Sequence, residues 1–251
     1  MRTIKLTIEY DGTNFSGWQI QAKGERTVQD EIKKNLEKIL GEKITLMGAG
    51  RTDCGVHAVG QVAHFQTKST LNSKTILKAL NGNLPDDVVI LKAVKVKNDF
   101  HAQYCAKSKI YRYTILNRNI PSAHTKVFCH YCPQSLDIEI MKKAAEKFVG
   151  KKDFKSVAAI DVAKRKAGKP IDTVRTIQKI TIRKKKNIIT INIEANGFLY
   201  KMVRNIVGTL IKVGLGKIKP SQISTILKAK DRKFAGPTAL AKGLCLLKVK
   251  Y

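Results

Sequence analysis

Residues 3–10, Thr3-Ile4-Lys5-Leu6-Thr7-Ile8-Glu9-Tyr10, alternate polar and apolar side chains without a break. That two-residue period belongs to a strand with one buried face. Near the middle of the chain, Ser108-Lys109-Ile110-Tyr111-Arg112-Tyr113-Thr114-Ile115-Leu116-Asn117 alternates in the same way, and the elements downstream of the two stretches are alike. After the first, Thr27 is placed to cap a helix running to about residue 40. Val28, Ile32, Leu36 and Ile39 form its apolar face, and Gly41 is its stop. Strands are expected over residues 44–49 and 61–67, with a glycine-rich loop over 50–60 between them. Asn72 or Ser73 opens a short helix to about residue 80. Residues 81–87 carry turn chemistry, and 88–96 read as a strand. After the second stretch come a helix over 136–149, strands over 173–183 and 187–194, and a helix over 198–213. An inserted helix over 221–228 and a closing strand over 244–251 complete the chain.

Two βαββαβ runs in tandem predict an α+β fold built from duplicated ferredoxin-like units. Side by side, they would form an extended, mostly antiparallel sheet with a central cleft. The halves are expected at residues 1–105 and 106–251. No Gly/Ser/Pro linker lies between them, so one integrated catalytic unit is expected.

The charge narrows the class of partner. Lys and Arg total 48 against 19 Asp and Glu, a formal net charge of +29. Such a chain suits a polyanion, because each neutralised phosphate releases counterions. Only ten of these cations are Arg, which draws attention to Arg51, Arg112, Arg175 and Arg204 as sites needing a planar, forked donor. Residues 157–171, with Lys164, Arg165, Lys166 and Lys169, read as a mobile basic loop in contact with phosphates, and Lys184-Lys185-Lys186 reads as a basic turn of the same use. No apolar run reaches the roughly 18 residues that span a bilayer. The first ten residues read as a strand and not as a targeting peptide, so a cytoplasmic protein with no membrane partner is expected. Five cysteines at irregular spacing do not make a disulfide framework, and the single Cys129-His130-Tyr131-Cys132 lacks a second pair for zinc.

The stretch richest in chemistry is Gly48-Ala49-Gly50-Arg51-Thr52-Asp53-Cys54-Gly55-Val56-His57-Ala58-Val59-Gly60. Four glycines surround one carboxylate, and Arg51 lies two residues from it. By spacing alone this is a glycine-rich turn with a capping Asp. The whole run Gly50-Arg51-Thr52-Asp53-x-Gly55-Val56-His57-Ala58, however, resembles the active-site signature of the tRNA pseudouridine synthase A family. Further segments carry the resemblance along nearly the whole chain: Tyr10 to Gln19, Asn83-Leu84-Pro85-Asp86-Asp87, Phe100-His101-Ala102, Lys109 to Tyr113, Asn196 to Gly208, and Gly236-Pro237-Thr238-Ala239. Gln103 and Lys109 stand where that family usually has arginine, Cys54 replaces a usual alanine, and Val157 a usual aromatic.

The resemblance implies a specific chemistry. Asp53 is the catalytic carboxylate. Tyr111 stacks on the uracil and helps remove the C5 proton, and Arg204 pairs with Asp53. Arg51 fills the gap left by the flipped nucleotide, and His57 is a structural or RNA-contacting residue. It also implies a homodimer that isomerises uridines 38, 39 and 40 of tRNA, in the anticodon stem-loop, with no metal, redox or small-molecule cofactor. Two rivals are a non-catalytic RNA-binding module and a zinc-assisted RNA enzyme. Against the first, no aromatic run of the RNP type is present, and a glycine-framed Asp is.

Overall fold

The computed structural model describes residues 1–22, 24–159 and 172–251. Its strands and helices run β1 (Arg2–Tyr10), α1 (Val28–Leu40), β2 (Met47–Gly48), β3 (His57–Thr67), α2 (Ser73–Asn83) and β4 (Val88–Val96). They continue with β5 (Ser108–Asn117), β6 (His130–Cys132), α3 (Ile138–Glu146), β7 (Gly150–Asp153), β8 (Val174–Lys185) and β9 (Ile188–Ala195). The last are α4 (Met202–Gly214), α5 (Gln222–Ala229) and β10 (Leu244–Lys250). The fold is α+β with mostly antiparallel strand pairing. It divides into two compact units: Met1–Lys107 with Cys245–Tyr251, and Ser108–Leu244.

In the first unit the strand order is β4-β1-β3-β10, with β2 on β3. The β1 pattern predicts its own packing: Ile4, Leu6 and Ile8 are fully buried and Tyr10 nearly so. Val28, Ile32 and Leu36 of α1 and Ile76 and Leu80 of α2 complete the core. Each such side chain contributes about 1.5–3 kcal/mol by leaving water. The Thr27 side chain accepts the Asp30 N–H at the start of α1, and Gly41 ends the helix at φ 67°. A left-handed residue there closes the last turn without a Cβ penalty.

In the second unit the order is β5-β9-β8-β7, with β6 on β5. Register pairs Tyr111 with Ile193, Tyr113 with Ile191 and Ile115 with Ile189. These side chains form one buried face. The intervening pairs, Arg112 with Asn192 and Thr114 with Thr190, lie on the other face, because successive side chains of a strand alternate. Helix α4 is buried at eleven of its thirteen positions and supplies most of the helical side of this core.

The structure departs from the sequence reading in several places: α2 runs on to Asn83 through residues read as a turn, β8 runs on to Lys185 into the basic turn, and α3 covers only Ile138–Glu146. The strand expected over 44–49 shrinks to β2, two residues long. Strand β3 begins at His57 and not at residue 61, because β10 runs parallel to it, pairing Cys245 with His57 and Leu246 with Ala58. That pairing also takes residues 245–251 out of the second half, where the sequence pattern places the closing strand, and into the first unit. Helix α4 starts at Met202 and not at residue 198, since Lys201 sits at φ 56° and breaks the helical path. Strands β6 and β7 have no counterpart in the sequence pattern. They are three and four residues long, and Lys151-Lys152 in β7 masks any apolar alternation. The basic loop at Lys164, Arg165 and Lys166 lies outside the described residues. Among the described residues no helix is long and apolar enough to cross a membrane.

Candidate active site

Asp53 sits on a turn that the loop of residues 11–18 grips by its backbone. Trp18 N–H donates to Thr52 O at 3.2 Å, Gly55 N–H to Phe15 O at 3.3 Å, and Val56 N–H closes the turn on Asp53 O at 3.1 Å. The grip is tight enough to demand glycine. A Cβ at Gly17, whose φ is +100°, would lie 2.6 Å from Thr52 O and 3.2 Å from the Asp53 carbonyl carbon, and one at Gly12 would lie 2.1 Å from Val56 O. Beside Asp53, the Thr52 hydroxyl meets the Tyr10 phenol at 2.8 Å. Burial pushes that phenol well above its ordinary pKa, so Tyr10 remains a neutral hydrogen-bonding group. The Asp53 residue itself is half-buried, and Arg51 is exposed.

His57 is buried, 5% exposed, at the first position of β3. The Gly12 N–H points at its Nδ1 at 3.0 Å, which makes that nitrogen an acceptor. Asp11 Oδ1 lies 3.1 Å from the same nitrogen, but it is already satisfied by the Thr13 N–H at 2.9 Å and hydroxyl at 2.5 Å. His57 clasps the 11–18 loop from inside the unit. From outside, Arg26 holds the same loop. Its guanidinium forks onto Asp87 at 2.7 and 2.9 Å, reaches Glu31 at 3.2 Å, and covers the Phe15 ring at 4.1 Å. The planar fork matches a carboxylate in a way an ammonium does not.

In the second unit Tyr111 lies on β5, 7% exposed, with the Phe198 ring edge-on at 5.1 Å. Arg204 is in the first turn of α4. Its Nε donates to Ala239 O at 2.8 Å, and the Ala239 N–H returns a bond to Arg204 O at 3.1 Å. The turn bearing Ala239 is itself locked to α4. A Cβ at Gly208 would fall 1.7 Å from Pro237 O, and Gly236 N–H donates to the Thr209 hydroxyl at 2.9 Å. Asn205, fully buried, accepts from Thr238 at 2.6 Å and Arg232 at 3.1 Å while donating to Val157 O at 2.9 Å. Both ends of that amide are matched, which is the condition for burying it without penalty. Burial raises the pKa of the adjacent Tyr113 phenol, and the Arg204 charge pulls it partly back. The phenol donates to Leu240 O at 2.9 Å, steadying the same turn.

Each unit thus brings together part of the expected set. The first holds Arg51, Asp53 and His57 around one turn, and the second holds Tyr111 and Arg204, each braced by a neighbour. The supporting residues Arg26, Thr52, Asn205, Arg232 and Thr238 are not singled out by the sequence. Arg26 finds Asp87 across 61 positions, a separation that leaves no local signal. Cys129 and Cys132 are free thiols. Cys129 Sγ hydrogen-bonds Thr125 O at 3.0 Å and Cys132 Sγ hydrogen-bonds Gln134 O at 3.6 Å. Among the described residues no group of three or more His, Cys, Asp or Glu is arranged to hold a metal ion.

A carboxylate on a braced turn in an α+β chain with a formal net charge of +29 suits an enzyme acting on a polyanion. Comparison with known proteins makes this specific. A family model described as tRNA pseudouridine synthase matches residues 6–105 and 144–251. A tRNA pseudouridine synthase A of Thermoanaerobacter sp. (strain X514) is 47% identical over 251 residues, covering all of both chains. Similar full coverage is found with proteins of that name from Acetivibrio thermocellus, at 47% identity, and, as tRNA pseudouridine synthase A 2, from Clostridium perfringens, at 46%. Among solved structures, a chain of a Cbf5-Nop10-Gar1 complex aligns with 12% identity and a TM-score of 0.35, over 96% of this chain and 57% of its own, too distant to add to the argument. The chain belongs to the tRNA pseudouridine synthase family, and it is an isomerase.

Proposed function

We infer that this enzyme converts uridine to pseudouridine at positions 38, 39 and 40 in the anticodon stem-loop of tRNA, with Asp53 as the catalytic carboxylate. The observation that carries the reading is the turn at Asp53. Its backbone is held against Phe15, Gly17 and Trp18, which supports a reading in which the carboxylate is carried on a fixed turn. Such preorganisation is what a reacting group requires. The reaction breaks the C1′–N1 bond, turns the uracil over and joins C1′ to C5. Atoms are conserved, apart from exchange of the C5 proton with solvent, and no electron leaves the substrate. A carboxylate serves as nucleophile toward C6 or C1′, or as a base toward the sugar.

In this reading Tyr111 and Arg204 also act on the reacting uridine. Tyr111 offers a flat ring for the uracil and a phenol near C5. Arg204 holds the carboxylate through a forked contact, and Arg51 occupies the gap left by the flipped base. The anchoring of Arg204 Nε on Ala239 supports this, because a guanidinium fixed at one nitrogen presents its fork in a defined plane. Lys164, Arg165 and Lys166 add phosphate contacts, in keeping with the net charge of +29. A homodimer, which rests on the resemblance of the motifs, and a cytoplasmic location complete the reading. Mapping pseudouridine in a tRNA transcript after incubation, by carbodiimide modification and primer extension, tests it. Stops at 38, 39 or 40 are expected, and modification confined to other positions would overturn the site assignment.

A further inference from the structure

The face of the second unit's sheet opposite Tyr111 holds a groove of about 710 Å³, lined by Arg112, Arg118, Arg183, Lys185 and Lys186 together with polar residues and the aliphatic Leu116 and Ile188. Among the described residues that line it, five are cationic and none is a carboxylate. The cations are an outcome of register. Arg112 pairs with Asn192 across β5 and β9, and Arg183 and Lys185 stand opposite Thr190 and Ile188 across β8 and β9. All therefore project from one face, while Tyr111, Tyr113, Ile191 and Ile193 project from the other and are buried. Asn192, Thr190 and Ile188 stand opposite Arg112, Arg183 and Lys185, so none of these cross-strand partners carries a charge that would neutralise the cation. Two of the arginines are braced. Arg112 Nε donates to Asn192 Oδ1 at 2.9 Å, and Arg118 is tied to Ile120 O and Pro121 O at 2.7 and 2.9 Å. A braced guanidinium loses less freedom on meeting a phosphate. Among the described residues no aromatic side chain lines the groove, so these residues offer no ring for unstacked bases and suit a sugar-phosphate backbone.

We propose that this groove binds the phosphate backbone of tRNA at a segment other than the stem that carries the reacting uridine. The proposal rests on the reading that tRNA is the substrate and extends the footprint beyond it. Tyr111 and Arg112 are consecutive on β5 and face opposite sides of the sheet. The segment of RNA that meets Tyr111 is thus not the segment that meets Arg112, and the groove takes the body of the same tRNA molecule.

The test compares the double variant Arg112→Gln/Arg183→Gln with wild type, using full-length tRNA and an isolated anticodon stem-loop at several salt concentrations. For full-length tRNA the variant binds at least several-fold more weakly, and the slope of log K against log[salt] flattens by roughly two, about 0.9 for each phosphate that is no longer neutralised. Binding of the stem-loop and turnover at saturating tRNA stay at wild-type values. The charge-preserving pair Arg112→Lys/Arg183→Lys keeps most of the slope. Unchanged affinity for full-length tRNA, or equal weakening with tRNA and stem-loop, overturns the proposal. So does a change of oligomeric state by sedimentation in the glutamine variant, which would assign this face to contact between copies. If wild type makes no pseudouridine at 38–40, the underlying functional reading fails instead, a result separable from the binding data.

Discussion

Gly17 is the position where a single methyl group tests the account most severely. Its φ of +100° is a conformation that L side chains rarely adopt, and a Cβ there would stand 2.6 Å from Thr52 O. Ordinary contact begins at 3.4 Å, so the loop and the Asp53 turn must separate by 0.8 Å. Gly17→Ala therefore incurs about 1–2 kcal/mol of backbone strain, and it stretches the Trp18–Thr52 bond that ties the loop to the turn. For a chain of this size, that strain alone lowers Tm by roughly 2–8 °C. The larger effect falls on the rate, because misplacing a reacting group by about 1 Å lowers turnover on the order of 10–100-fold. Gly41→Ala is the control. It shares the left-handed conformation, at φ +67°, but its Cβ would meet nothing within 4 Å. It lies at the other end of α1, about 20 Å away along the helix axis from Thr27. It lowers Tm by a few degrees and leaves kcat alone. Single-turnover rates and thermal melts of both variants decide the matter. A Gly17→Ala protein that melts early yet turns over like wild type would refute the claim that this loop positions Asp53.

The same contacts predict further outcomes. Arg204→Lys keeps the charge but not the fork, so the single-turnover rate falls at least tenfold while tRNA Kd changes little, and equal rates would leave Arg204 a helix-surface residue. Thr238→Val removes the hydroxyl that donates to Asn205; it destabilises by about 1–2 kcal/mol and slows turnover beyond what the melt explains, through the Ala239 support of Arg204. Asp153 is partly buried, which alone would raise its pKa, but bonds from Thr173, the Lys155 N–H and Lys230 hold it below the ordinary range. A depressed folded pKa means that its contribution is present above the unfolded value of about 3.9 and is lost as pH falls through the folded value. Asp153→Asn should thus be less stable than wild type at pH 7, with the difference closing below about pH 4 in acid-unfolding experiments. Extensive chelation with EDTA leaves turnover unchanged, since among the described residues no group of three or more His, Cys, Asp or Glu is arranged to hold a metal ion; loss of activity restored by zinc would contradict this.

Much of the fold is legible in the sequence because its signals are local. The alternation at residues 3–10 and 108–117 marks β1 and β5, and Thr27 and Gly41 mark the ends of α1. The glycine-framed Asp53 is visible for the same reason. The features that escape depend on partners distant in the chain. His57 and Ala58 read as loop until β10 pairs with both and Tyr10 of β1 pairs with Ala58. Strands β6 and β7 are extended by their neighbours more than by their own residues. Arg26, Asn205 and Arg232 are ordinary surface-type residues in sequence and become supports only through Asp87, Thr238 and Val157. Arg112 is marked by the scarcity of arginine, yet its groove exists only once β8 and β9 bring Arg183 and Lys185 onto the same face.

The central claim is that Asp53 carries the chemistry. The most direct measurement is release of tritium from C5-labelled uridine in tRNA, compared between wild type and Asp53→Asn, with tRNA binding measured in parallel. Wild type should release label as uridine becomes pseudouridine. Asp53→Asn should bind tRNA almost as tightly as wild type, since affinity comes mainly from phosphates and shape, and should release none above background. Release by Asp53→Asn at about a tenth of the wild-type rate or more, well above what typically survives removal of a nucleophile, would contradict the account.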